Sequence, residues 1–162
     1  MRVMVILALF LCFITSCSQP QVVPSLTPKF NELLDSDKVR LDQQRALVAA
    51  TAKQKYGTAA LTKSVADLPV LQRLIDDNVF NKTQTYELQS LGVAFGDVLA
   101  NELPLRWEML EDEYGTDPVL RYKDKPVNIN ALTMISKRVE RGEVVNLARL
   151  LQLTRDQLRA VE

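Results

Sequence analysis

The sequence predicts an α+β domain in which N-terminal helices pack on a small antiparallel sheet and are followed by one or two C-terminal helices. Three observations support this class. Apolar residues recur at helical spacing between residues 35 and 102, strand-like alternation occupies residues 106–129, and a helical pattern returns after residue 130. Short consecutive strands that follow helices, rather than alternate with them, are typical of α+β domains.

Three helices are predicted before the strands. The first covers about residues 35–56, and Gly57 is suited to the left-handed cap that ends a helix. The second begins at residues 67–69, because proline is favoured in the first turn of a helix. The third covers residues 85–102 and contains two glycines four residues apart, which would allow another element to approach closely.

Three short strands are predicted next. Trp107 and Met109 share one face of the first strand and are expected to pack on the helices, near Leu91 and Phe95. Residues 115–118, with the sequence Gly-Thr-Asp-Pro, predict the first turn. The second and third strands are expected at residues 119–122 and 127–129.

The C-terminal region predicts one or two helices. Asn130 is a suitable N-cap for a helix that ends at Gly142. Residues 144–153 are compatible with either a strand or a helix. Thr154 begins a capping-box pattern, which predicts a short terminal helix.

Three separated motifs in this region carry a family resemblance. They are LGVAFGDVLANEL at residues 91–103, W…EDEYGTDPVLRY at residues 107–122 and LTMISKRVERGE at residues 132–143. Together they resemble the bacterial family called domain of unknown function 3806, over about residues 40–150. The resemblance implies a compact α+β domain without an established activity, and it supplies no catalytic residues.

The beginning of the chain predicts an address in the bacterial cell envelope. Residues 1–16 place one arginine before an apolar run, the layout of a secretory signal peptide. Residues 14–17, Ile-Thr-Ser-Cys, resemble the bacterial lipobox, which implies cleavage before Cys17, lipidation of its thiol and acylation, such as with palmitate, of its amine. Two such signals suffice for stable membrane attachment. The alternatives are a plain secretory signal or a retained single-span anchor.

The residues after Cys17 refine this address. In enterobacterial sorting the residue after the lipidated cysteine selects the membrane, and Ser18 resembles the outer-membrane signal. The expected location is therefore the inner leaflet of the outer membrane, facing the periplasm. Residues 17–34 contain three prolines and predict a flexible tether, so residues 35–162 would form a single domain.

Composition excludes several classes of function. The 20 basic and 20 acidic residues balance, which argues against a nucleic-acid partner. The chain has no histidine, the commonest general base and metal ligand. Its two cysteines are Cys12 and Cys17, so the mature chain would contain no disulfide. No catalytic residue and no cofactor are predicted, and a non-enzymatic role is favoured.

The acidic run is the strongest candidate for chemistry. Glu111, Glu113 and Asp117 could bind a hard cation through oxygen ligands, or act as an acid/base pair. The simpler interpretation is a solvated hairpin whose charges prevent edge pairing.

Two further groups are candidates for binding. Trp107, Tyr114 and Tyr122 could line a cleft, or they could form an aromatic core cluster. A basic helix end could meet an acidic partner or lipid headgroups, or could simply be solvated; it consists of Lys137, Arg138 and Arg141.

The function predicted from these features is that of a membrane-anchored envelope lipoprotein that binds another envelope protein or plays an accessory role in the periplasm. Its attachment to the membrane would be through the lipid on Cys17. The alternative is an envelope hydrolase or metal-binding protein that uses the acidic hairpin.

Overall fold

The computed structural model describes residues 27–58 and 60–161, in which a four-stranded antiparallel sheet packs against helices. The elements in chain order are β1 (Lys29–Asn31), α1 (Asp35–Tyr56), a 3-10 turn (Val65–Asp67), α2 (Leu68–Asp76), α3 (Thr85–Glu102), β2 (Leu105–Asp112), β3 (Gly115–Tyr122), β4 (Asn128–Ile129), α4 (Ala131–Met134), α5 (Ser136–Glu140) and α6 (Leu147–Arg159). The predicted α+β class is therefore confirmed. The predicted signal peptide and Cys17 lie outside the described residues.

The order of helices and strands differs from the prediction at the start of the domain. β1 precedes the helices and pairs with β2, which gives the strand order β1-β2-β3-β4. The segment predicted as a tether, residues 17–34, therefore contains a strand in its second half, and its residues 17–26 lie outside the described part. A three-residue edge strand has no periodicity to recognise. Phe30 is half-buried where it pairs opposite Leu110.

α3 is the helix around which the other elements are arranged. All residues from 91 to 99 are buried, so the helix is surrounded rather than amphipathic. A Cβ atom at Gly92 would lie 2.4 Å from the carbonyl oxygen of Leu132, and one at Gly96 would lie 2.5 Å from the Trp107 ring. The prediction that these glycines permit close approach is confirmed.

The predicted turn at residues 115–118 is wrong. These residues begin β3, and the hairpin turns at Glu113 and Tyr114, where the carboxylate of Asp112 accepts a hydrogen bond of 2.8 Å from the Tyr114 amide. Pro118 fits inside β3 because β4 pairs only with two residues further along, so the proline lies at an unpaired edge. Tertiary pairing thus overrides the local turn chemistry.

The C-terminal helices also differ from the prediction. The helix expected after Asn130 is divided at Ile135 into α4 and α5. α6 begins earlier than the capping box indicated, and the side chain of Asn146 caps it by accepting a hydrogen bond from the Arg149 amide at 2.8 Å. Thr154 is buried within α6 and donates its hydroxyl to the Leu150 carbonyl at 2.9 Å. Residues 147–159 form a helix because the leucine-rich face of α6 packs into the core.

Candidate functional site

The acidic residues of the hairpin do not converge. Glu111 lies opposite Thr116 and Asp117 lies opposite Leu110, so the two acidic side chains project from opposite faces of the sheet. Glu113 lies in the turn. Across residues 27–58 and 60–161 no group of three or more His, Cys, Asp or Glu residues could hold a metal ion. Glu111 and Asp117 therefore do not meet on one face of the hairpin.

Glu108 is the hairpin carboxylate with a defined environment. Its side chain is only 9% exposed, and it accepts hydrogen bonds from Arg106 Nε at 2.5 Å and from Arg121 Nη1 at 3.2 Å. The Arg121 guanidinium also lies over the ring of Phe30, 4.4 Å from its centre. Two arginines thus neutralise Glu108 on the sheet face away from α3, and the interaction ties β1, β2 and β3 together.

The three candidate aromatic residues are separated. Trp107 is half-buried against α3, Tyr122 is 1% exposed within the core, and Tyr114 is 88% exposed at the hairpin tip. Trp107 and Tyr122 belong to the packing of the domain. Tyr114 is too far along the hairpin to line a cleft with them.

Asp97 is a buried charged group that no sequence pattern indicated. It lies in the middle of α3, is 6% exposed, and receives hydrogen bonds from Arg45 Nε at 2.6 Å, Arg45 Nη2 at 2.7 Å and Trp107 Nε1 at 2.9 Å. The hydrogen bond to Asp97 raises the pKa of Arg45 above its ordinary value. We call these three residues the Asp97 network; it connects α1, α3 and β2.

Another buried carboxylate orders the loop beside this network. Asp67 is 5% exposed and accepts hydrogen bonds from the amide and hydroxyl of Thr62, at 2.9 Å, and from the amide of Lys63, at 2.7 Å. Lys63 has a φ of 61°, a left-handed conformation that is uncommon for residues other than glycine. Its Nζ lies 3.9 Å from Asp97 Oδ2. The loop is thus held with a lysine beside the Asp97 network.

These groups surround a cavity of about 190 Å³ between α1, α3 and the loop. We call it the α1–α3 cavity. Its charged lining residues are Arg45, Lys63, Asp67 and Asp97, and its apolar lining residues are Ala46, Ala49, Ala60, Leu61 and Ala94.

A different concave region surrounds Val144, in the segment that joins α5 to α6. Val144 is 96% exposed and contributes to the lining of three depressions of about 430, 280 and 370 Å³. The segment is held by the side chain of Gln72, which donates to the Val145 carbonyl and accepts from the Leu147 amide, both at 2.9 Å. On the other side of Val144, the Glu143 amide donates to the Arg138 carbonyl at 2.9 Å, so the exposed valine projects from a backbone held on both sides.

Charged and apolar groups are mixed in one of these depressions. Arg138 and Arg149 line it together with Val144 and Leu153, and Leu153 is 46% exposed. We call these four residues the Val144 surface. Of the basic helix end predicted from the sequence, only Arg138 lines this depression. Lys137 and Arg141 line a different depression together with Arg138, and Arg141 is paired with Glu143 at 2.6 Å.

No helix in the described part of the chain combines the length and the apolar character needed to cross a membrane.

A buried central helix, an antiparallel sheet beside it and short helices that close the core define a small α+β domain. The chain belongs to the family described as Domain of unknown function (DUF3806), whose model matches residues 67–150. The matched range contains Asp97, Trp107 and Val144, whereas Arg45 and Lys63 precede it.

Comparison with curated proteins gives no match. Among solved structures, the chain is similar to a protein from Bacteroides thetaiotaomicron VPI-5482, with 22% identity and a TM-score of 0.74. The likeness covers 82% of this chain and 49% of the other, so this chain spans about half the length of that protein. At this level of identity the likeness shows the fold alone.

Proposed function

We propose that this protein is a lipid-anchored component of the bacterial cell envelope that binds another protein through the Val144 surface and has a non-enzymatic role. The observation that carries the proposal is the almost complete exposure of Val144 on a backbone held by Gln72. This apolar side chain is exposed among depressions on a surface that is already ordered. Such a side chain is suited to anchor a partner, because the surface loses little conformational entropy on binding.

The charges around this surface indicate the chemistry of the partner. Arg138 and Arg149 flank the exposed apolar side chains in the same depression. A segment with apolar residues next to acidic ones would match both features, because complementary charges steer association and fix the register. The partner we propose is therefore an envelope protein that presents an apolar and acidic segment.

The attachment to the membrane is supported by the lipobox resemblance at residues 14–17. A thioether-linked diacylglyceryl group and an acyl chain on Cys17 would provide more than one anchoring signal. Residues 17–26 separate this cysteine from the described domain, and ten residues reach at most about 35 Å. The domain would thus work close to the membrane, which we propose is the periplasmic side of the outer membrane.

The alternative of a hydrolase or cation-binding protein has less support. It requires Glu111, Glu113 and Asp117 to act together, and the hairpin directs Glu111 and Asp117 to opposite faces.

The docking proposal predicts the effect of a charge at its centre. Val144→Asp should reduce recovery of the crosslinked partner from solubilised envelopes by about tenfold or more, because a charge would be buried in the interface. Folding should be unaffected, since Val144 is 96% exposed. Quantitative mass spectrometry after crosslinking provides the measurement.

Tyr114→Asp is the matched control, because Tyr114 is also a large, highly exposed side chain and lies at the hairpin tip. A partner that is lost with Val144→Asp and retained with Tyr114→Asp supports the proposal. Equal recovery of every crosslinked protein with wild type, Val144→Asp and Tyr114→Asp would contradict it.

The anchoring proposal predicts the behaviour of Cys17→Ser. The wild-type protein should fractionate with membranes and carry acyl mass on residue 17, whereas the variant should remain unprocessed or be cut elsewhere and carry no acyl group. Fractionation and intact-protein mass spectrometry test this directly. A wild-type protein that retains residues 1–16, or is soluble in the periplasm, would exclude the lipoprotein assignment.

A further inference from the structure

The α1–α3 cavity shares no lining residue with the Val144 surface and has a different chemistry. Its walls carry the methyl groups of three alanines from two packed helices, Ala46 and Ala49 on α1 and Ala94 on α3. Larger side chains at these positions would fill the space. The cavity of about 190 Å³ corresponds to roughly six water volumes of about 30 Å³ each, so it suits a compact group rather than a drug-sized ligand.

The two carboxylates of the cavity already have their partners. Asp97 accepts two hydrogen bonds from Arg45 and one from Trp107. Asp67 accepts hydrogen bonds from Thr62 and from the backbone of Lys63. Because the best acceptor positions of both groups are occupied, neither carboxylate is free to bind a cationic ligand.

The cationic groups, in contrast, retain hydrogen-bond donors. Lys63 Nζ has a single ionic contact, at 3.9 Å from Asp97, and makes no hydrogen bond with the described part of the chain. Arg45 uses three of its five N–H donors, two on Asp97 and one on Asp42. The left-handed backbone of Lys63 is held by Asp67, which keeps the backbone of this lysine at the cavity. Unused donors next to an apolar cavity favour a ligand that is anionic at one end and apolar at the other.

We infer that the α1–α3 cavity binds a carboxylate attached to a short apolar group, with the carboxylate at Lys63 and the free donors of Arg45 and the apolar group between the alanines. Such a group is either a free carboxylic acid of roughly four to six carbons, by the volume above, or the C-terminal residue of a peptide ending in a small apolar side chain. Both sources offer the same chemistry to the cavity.

The single tryptophan of the chain provides a local reporter. Its indole N–H donates to Asp97, which lines the cavity, and a ¹⁵N-tryptophan-labelled sample gives one indole signal. Titration of the labelled full-length protein in detergent with pentanoate should shift this signal saturably at millimolar concentration. The neutral isostere pentanamide should bind at least tenfold more weakly. Titration with N-acetyl-Ala-Val, with a free or an amidated C terminus, then distinguishes a peptide ligand from a free carboxylic acid. If the ligand is a peptide C terminus, the free-acid peptide should bind more tightly than pentanoate.

The decisive variant is Lys63→Gln, which removes the charge at a side chain that is 61% exposed and is therefore expected to fold normally. It should weaken pentanoate binding by about tenfold, as expected for the loss of a charge-assisted hydrogen bond. Lys53→Gln, at an exposed position late in α1, is the matched control and should bind like the wild type. The inference is overturned by equal binding of pentanoate and pentanamide, by unchanged binding in Lys63→Gln, or by the absence of a saturable shift with every probe. Cooperative unfolding of each variant in denaturant, with a midpoint near that of the wild type, shows that it is folded.

Discussion

Replacing Arg45 by methionine is expected to lower the free energy of unfolding by about 3–5 kcal/mol, the range observed when one partner of a buried ion pair is removed. Asp97 is 6% exposed and receives both of its shortest hydrogen bonds from Arg45. The variant leaves this carboxylate in the core with only Trp107 as a close donor. Lys63 lies 3.9 Å away and can offset part of the loss, so we expect the lower half of the range. Chemical denaturation with a spectroscopic signal gives the value.

Arg40→Met is the matched control, since Arg40 lies on the same helix, is 47% exposed and contacts Asp37 at 3.9 Å. A solvated pair of this kind contributes little, and the free energy of unfolding should change by less than about 1 kcal/mol. The double variant Arg45→Met, Asp97→Leu should be more stable than Arg45→Met alone, because no buried charge is left unpaired. A loss below about 1 kcal/mol in Arg45→Met would show that the Asp97 network does not stabilise the domain.

Replacing Trp107 by alanine should lower the free energy of unfolding by about 3–5 kcal/mol, the usual cost of removing a large aromatic side chain from a core. The indole ring occupies the space left by Gly96, and its N–H donates to Asp97 at 2.9 Å. Since the ring is half-buried, the lower end of the range is expected. Trp107→Phe keeps most of the packing but loses the hydrogen bond, and should cost about 1 kcal/mol.

Thermal and denaturant unfolding of both Trp107 variants test this interpretation. Tyr114→Ala removes an aromatic ring from the exposed hairpin tip and should leave the unfolding free energy within about 0.5 kcal/mol of the wild type. If Trp107→Ala unfolds like the wild type, the ring contributes no packing energy, and its position beside α3 would have to serve binding instead.

Trp107 illustrates which structural features a sequence pattern can predict and which it cannot. Alternation along β2 was sufficient to place Trp107 and Met109 on the face that packs on the helices, because residues two apart in a strand share a face. The alternation could not predict which helix residue the Trp107 ring contacts. The ring packs against the core cluster that contains Leu91 and Phe95, as expected. It does so at Gly96, where the absence of a Cβ leaves room for it.

The helix limits that were predicted correctly depend on interactions between residues close together in the sequence. Gly57 ends α1 with a φ of 65°, and its amide donates to the Lys53 carbonyl at 2.9 Å, an interaction that five successive residues determine among themselves. The limits of α1 and α3 follow from helical spacing in the same way. The predicted turn at residues 115–118 failed because the choice between Gly-Thr-Asp-Pro and Glu113–Tyr114 as the turn depends on the register with β2.

The sequence by itself thus determined the α+β class, the positions of the three helices before β2 and the family to which the chain belongs. Only the tertiary structure decided which charged groups meet. Arg45 and Asp97 are 52 residues apart, and each reads in isolation as an ordinary helix residue. The packing of separate elements brings Arg45 and Asp97 together, places Lys63 beside them and leaves Val144 exposed. In that packing, the burial of apolar surface and the pairing of buried charges must be satisfied at the same time.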